Sequence, residues 1–142
     1  MKARWTPDDS FLNRKRAVGL KRLTDVLPNN KGFDRIVTSR DPGMDQLRYA
    51  LRREGMPPGW ETWQLPVHLL ESPTFFFLTS SAPGAVLPEH SHSVDQLRVV
   101  LSGGLIYNGV ELKTGDWMYV PKGKSYGLSA SLNPGCVHMY AY

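Results

Sequence analysis

Cysteine is nearly missing: Cys136 is the only one in 142 residues, which excludes an internal disulfide and fits a reducing compartment. Long apolar runs are missing too. No stretch approaches the about 18 residues that a membrane-spanning helix needs, and the opening MKARWTPDDS lacks the apolar core of a secretory signal. A cytoplasmic protein without a membrane segment is the expectation. Acids are scarce at one end only. Residues 1–40 hold 10 Lys/Arg against 4 Asp/Glu, residues 41–72 hold 3 against 5, and residues 73–142 hold 4 against 4. The net charge of +4 therefore sits in the first segment, around the run NRKRAVGLKR at 13–22. No aromatic residue is interleaved there to stack bases. The run reads as a solvated face or tail, and nucleic acid is not an expected partner.

What is present suits one soluble domain: 41% hydrophobic and 21% charged residues are ordinary globular proportions. The texture changes near Pro57-Pro-Gly59. Residues 1–59 are polar, basic and broken by Pro7, Pro28, Gly32, Pro42 and Gly43, so they read as an extension with short helices. The best helix candidate is 45–53, where Leu47, Ala50 and Leu51 recur at helical spacing behind Asp45. A weaker one covers 20–26. The echo of DQLRYAL at 45–51 in DQLRVVL at 95–101 is treated as chance, because the second copy sits among β-branched residues.

Residues 60–142 read as β. Short runs rich in Val, Phe, Tyr and Leu alternate with turn residues, predicting strands near 61–70, 73–81, 84–92, 96–102, 104–107, 110–112, 116–120, 125–131 and 136–142. Asn108-Gly109 is a hairpin turn, since both central positions of that turn favour positive φ. Regular short strands argue for an all-β sandwich or barrel. Phe75-Phe76-Phe77 is apolar on both faces, which predicts cover by the N-terminal segment or by a second copy; a homodimer is the expectation.

One segment carries chemistry, PEHSHSVDQLRVVLSG at 88–103. Residues two apart on a strand share a face, so His90 and His92 converge, and neutral imidazole is the commonest metal ligand. In the same phase Gln96 and Arg98 point inward.

The spacing resembles the cupin superfamily. Its first motif runs Gly, five residues, His-x-His, three or four residues, Glu, six residues, Gly; here Gly84, His90, His92, Gln96 and Gly103 fall in register, with glutamine for glutamate. In the second motif Gly115, Pro121 and Gly123 keep their places, while Tyr126 stands at the histidine position and Ala130 at the asparagine position. The resemblance implies a single cupin β-barrel, a jelly roll, over about residues 60–142. It implies a divalent transition metal (Zn, Ni, Fe or Mn) held by His90, His92, Gln96 and Tyr126. It further implies a small-molecule substrate handled as dioxygenases, isomerases, lyases or cyclases of this size do, with Tyr126 as acid/base and Arg98 orienting an anionic group. The two departures leave alternatives open. Tyr126 could be a proton donor or acceptor rather than a ligand, or the pocket could have been kept without the metal in a non-catalytic binding or sensing protein.

Arg98 has two readings, a clamp for a ligand's carboxylate or phosphate and, slightly favoured, a structural pair with Glu89, Asp95, Glu111 or Asp116. His68 is expected to be a packed strand residue. In the final strand, Val137 and Met139 are expected to face the core and His138 to face out. Cys136 has no recognisable activating neighbour, Trp60, Trp63 and Trp117 read as core or interface, and no serine triad is supported.

Overall fold

A computed structural model describes residues 21–27, 33–52, 54–55, 58, 61, 63–67, 69 and 76–142. His68, Trp60, Phe75 and the basic run up to residue 20 lie outside the described residues. The chain divides into two compact units, residues 1–32 with 43–68, and residues 33–42 with 69–142.

In the first unit residues 21–26 are helical, and a second helix covers Met44–Ala50. Gly43 precedes it at φ 87°, a left-handed position that favours glycine, and Asp45 places a carboxylate in the positive first turn. The Arg22 guanidinium donates to the Leu51 carbonyl at 3.0 Å. Arg48 lies 3.8 Å over the Trp63 ring, so Trp63 has a structural partner here. The strand expected over 61–70 is reduced, among the described residues, to one antiparallel bridge between Trp63 and Arg52.

The second unit is all-β, an eight-stranded antiparallel sheet folded into two layers. Its strands are β1 (Val37–Thr38), β2 (Phe76–Ser81), β3 (Val86–His90), β4 (Gln96–Tyr107), β5 (Val110–Lys113), β6 (Trp117–Val120), β7 (Tyr126–Ala130) and β8 (Cys136–Ala141). The first half of β4 pairs with β6 and β8; its second half pairs with β5 and β7. Around that crossing, β2–β8–β4–β6–β1 forms one layer and β3–β7–β4–β5 the other. β1 comes from before residue 60 and pairs with β6, Val37 opposite Tyr119.

The two strands expected at 96–102 and 104–107 are one, and Gly103 shows how β4 changes layers. It has φ 76°, and a Cβ there would collide with the Gly135 carbonyl; that same carbonyl accepts the Gly104 N–H at 2.9 Å. Only glycine meets both demands. Asn108 and Gly109 both take positive φ, as the hairpin between β4 and β5 requires.

The core is built by Val100, Leu105, Leu112, Met118, Val120, Leu128 and their neighbours. On β4, Gln96, Arg98 and Val100 are buried while Leu97 and Val99 are less so. Inward phase thus runs through the even residues from 96 to 100 and changes after the irregularity that follows Val100, where Leu105 is inward. On β2, Phe76 and Leu78 are exposed. Among the described residues no helix is long and apolar enough to cross a membrane.

Candidate functional site

A cavity of about 600 Å³ opens between the two layers, reached by residues of β2, β3, β4, β7 and β8. Its polar end is assembled from four strands. His90 closes β3 opposite Tyr126 on β7, after a bulge that follows Leu87. The two rings lie 4.7 Å apart, and His92 stands edge-on to His90 at 4.7 Å. His90 Nδ1 is 2.7 Å from the Pro88 carbonyl. A carbonyl only accepts, so Nδ1 carries the proton and Nε2 the lone pair. His92 Nε2 is buried without a hydrogen-bond partner. The His92 pKa is lowered, first by burial and then by the charges of His90 and Arg98.

Beside this pair stands Arg98, only 5% exposed. Its Nη2 donates to the Tyr126 hydroxyl oxygen at 2.7 Å and faces Gln96 Oε1 at 3.5 Å. The Tyr126 O–H in turn donates to Gln96 Oε1 at 3.0 Å. Arg98 Nη1 lies 2.9 Å from His138 Nε2, and its guanidinium is 4.6 Å from the Tyr140 ring centre, a cation–π contact. Because guanidinium can only donate, His138 Nε2 must be the lone pair. The neutral ring then carries its proton on Nδ1, which points to Cys136 Sγ at 3.8 Å. Burial, and then the Arg98 charge, push the His138 pKa down to about 4. Burial pushes the Cys136 thiol up.

Every residue expected in the site (His90, His92, Gln96, Arg98 and Tyr126) is brought to this end of the barrel. Two expectations are corrected. His138 faces in: it is 3% exposed while Val137 is 37% exposed, because β8 turns Cys136, His138 and Tyr140 inward, the first into the core and the other two onto the cavity. Cys136 therefore does have a histidine neighbour. The other correction concerns Arg98, which forms no ion pair with any described residue. The four acids proposed for it are engaged elsewhere or held apart. Glu89 accepts from Ser125 Oγ at 2.9 Å, Asp95 from the Lys122 N–H at 2.9 Å, and Asp116 from Ser39 Oγ at 2.9 Å. Glu111 lies against Gly104 at the β4–β5 hairpin. Trp117 is buried in β6, away from the cavity lining.

Does this end of the barrel fit a divalent ion? Half of it does. His90 is held in a ligating tautomer by its second nitrogen, as metal-binding histidines are, and His92 offers a free Nε2. The other half does not. Gln96 Oε1 already accepts the Tyr126 proton, and the Tyr126 oxygen already accepts from Arg98, whose charge cannot be shed. Among the described residues no carboxylate offsets that charge, and no three His, Cys, Asp or Glu side chains cluster. The four motif positions therefore do not form a four-ligand set for a divalent cation.

An antiparallel jelly-roll barrel with a His-x-His pair at one end of its cavity defines a cupin. The model of the ChrR cupin-like domain matches residues 55–142, more than half of the chain, and the protein belongs to that family. Among solved structures it is similar to a cupin-like protein of unknown function from Ralstonia eutropha, at 22% identity over 46% of this chain and 44% of that one, TM-score 0.43. It is similar to the Rhodobacter sphaeroides complex of SigE with the anti-sigma ChrR, at 20% identity over 52% and 42%, TM-score 0.44. A cupin protein from Bacteroides fragilis matches at 24% identity over 46% and 61%, TM-score 0.41. The matched region is less than two thirds of each of those chains. No curated protein matches the chain.

Proposed function

We propose that this protein is a small-molecule-binding cupin that works without a resident divalent ion. The single observation behind this reading is the Arg98 guanidinium, hydrogen-bonded to Tyr126 at 2.7 Å and set 3.5 Å from Gln96, at the positions that would complete a metal site. A divalent ion held among those side chains would be repelled by this fixed charge. A carboxylate at position 96 would offset that; a glutamine amide does not. The arrangement instead offers a cavity with one rigid cationic donor and neutral polar groups around it, which is a recognition site.

A second reading, a metal-dependent enzyme, is favoured by the tautomer of His90 and the free Nε2 of His92. In that case the ion would be bound by those two imidazoles, with Tyr126 as the proton-carrying group. Metal analysis decides between the two. Protein purified without an affinity tag and incubated with Zn, Ni, Mn or Fe(II) is expected to retain well under one equivalent after desalting, and His90→Ala should change nothing. Stoichiometric metal in the wild type, lost in His90→Ala and His92→Ala, would overturn the proposal.

A further inference from the structure

The lining of the cavity says which chemical class of ligand it takes. Arg98 is the only Lys, Arg, Asp or Glu among its described lining residues. A guanidinium carries five N–H donors, and its protein partners account for three of them, one at the 3.5 Å limit. Nε–H is buried with no partner at all, and Nη1 has a second hydrogen beyond the one given to His138. A buried cation with unused donors and no counter-charge is costly by itself. It becomes favourable when an anion arrives beside it, and the edge that presents two parallel N–H groups is Nε with Nη2, whose 3.5 Å contact to Gln96 is the longest of the three.

Beyond the polar end the lining combines the hydroxyls of Thr79, Ser81 and Ser129 with apolar side chains. Leu87, Leu105 and Leu128 line it from β3, β4 and β7, and Tyr140 and Tyr142 line it from the other layer. The two tyrosine rings are stacked with centroids 6.1 Å apart, and Phe77 stacks on both. Space of about 600 Å³ suits a ligand of roughly ten to twenty heavy atoms.

We propose that the cavity binds a monocarboxylate with an apolar body, its carboxylate against the Arg98 guanidinium and its body between the leucines and the rings of Tyr140 and Tyr142. One charge on the wall calls for one charge on the ligand. A dianion would bring an uncompensated negative charge into the barrel, and a phosphate monoester, with nearly two charges near neutral pH, is disfavoured for the same reason. This inference uses the site of the proposed function but does not need its metal-free half to hold.

The test is a calorimetric and thermal-shift comparison of benzoate and hexanoate with benzamide, hexanamide and the dianion phthalate, in buffer containing a chelator. At least one monocarboxylate should bind saturably, and its amide at least tenfold more weakly. Phthalate should bind more weakly than benzoate. Arg98→Met should erase the acid-over-amide preference, and Arg98→Lys should keep it in reduced form, since charge remains but the planar fork is gone. If Arg98→Met does not fold, the wild-type acid-to-amide ratio and Arg98→Lys still decide. Equal binding of acid and amide, unchanged preference in Arg98→Met, or no saturable binding of either monocarboxylate up to about 10 mM overturns the inference. Repeating the titration with zinc in place of chelator separates the two proposals. Carboxylate binding that appears only with zinc sinks the metal-free reading and leaves the ligand class standing.

Discussion

Lowering the pH should destabilise the barrel through His138 in particular, and the size of the effect follows from its surroundings. His138 faces Arg98 at 2.9 Å through Nε2, Cys136 at 3.8 Å through Nδ1, the Tyr140 ring at 6.3 Å and Thr79 across β2. None of these is an acid. Burial first, and then the Arg98 charge, bring the pKa from 6.5 down to about 4, and protonation would put an imidazolium against a guanidinium and break the bond between them. In the unfolded chain the ring titrates normally, so below pH 6.5 the unfolded state takes up the proton first. The stabilisation is complete above that pH and is lost progressively as pH falls toward about 4. At 1.36 kcal/mol per unit the interval is worth about 3 kcal/mol. Solvent entering the open cavity screens part of it, which leaves about 2 kcal/mol. Urea unfolding from about pH 7.5 to about 4.5 of the wild type and His138→Gln measures this as a difference of differences, because carboxylates titrating in both proteins cancel. The wild type should lose about 2 kcal/mol more than the variant across the range. Parallel stability curves, or a His138 resonance titrating near 6.5, would refute the contact between His138 and Arg98.

Two further outcomes follow from the barrel. Gly103→Ala forces a Cβ onto the Gly135 backbone at φ 76°, whereas Gly104→Ala meets only the movable Glu111 side chain; the first should cost about 2 kcal/mol or more and the second under about 1, and similar melting temperatures would contradict the crossing described for β4. Asp95→Asn should weaken the charge-assisted bond from the Lys122 N–H, costing about 1–2 kcal/mol. It should also lower the Tyr119 pKa, which burial and then Asp95 hold above its usual 10; an unchanged ultraviolet titration of Tyr119 would show that the carboxylate does not reach it.

Much of this architecture is legible in the chain because certain positions admit few residues. Gly103 and the Asn108-Gly109 turn mark where backbone must take positive φ. The strand expected through both histidines ends at His90, and His92 lies in the connection to β4, so the inward phase of Gln96 and Arg98 is set by β4 itself. His138 was hidden for a physical reason. Opposite the inward Cys136, His138 and Tyr140, β8 carries Met139, which is half-buried, and Ala141, which is buried. With both faces of a strand covered, alternation of hydropathy no longer says which set points in. β1 was invisible because two residues are too few to show a period. The partner of Arg98 was unreadable because four acids lay within reach in sequence. Only the fold shows Asp95 and Asp116 committed to backbone and loop groups.

The departures at 96 and 126 make sense together with His138 better than one by one. Gln96, Tyr126 and His138 each turn a neutral oxygen or nitrogen toward the same guanidinium. Three neutral acceptors orient Arg98 without cancelling its charge. A glutamate at 96 would orient it equally well but would neutralise it, leaving a closed ion pair and nothing for an anion to gain. A histidine at 126 would replace the hydroxyl that now accepts from Arg98 and donates to Gln96, breaking the chain of bonds between them. The glutamine and the tyrosine are therefore the residues that keep a buried cation both held in place and unpaid. A barrel end built for a metal would be selected to collect negative charge. This one is arranged to retain a positive charge, and on the proposed reading the ligand supplies the anion.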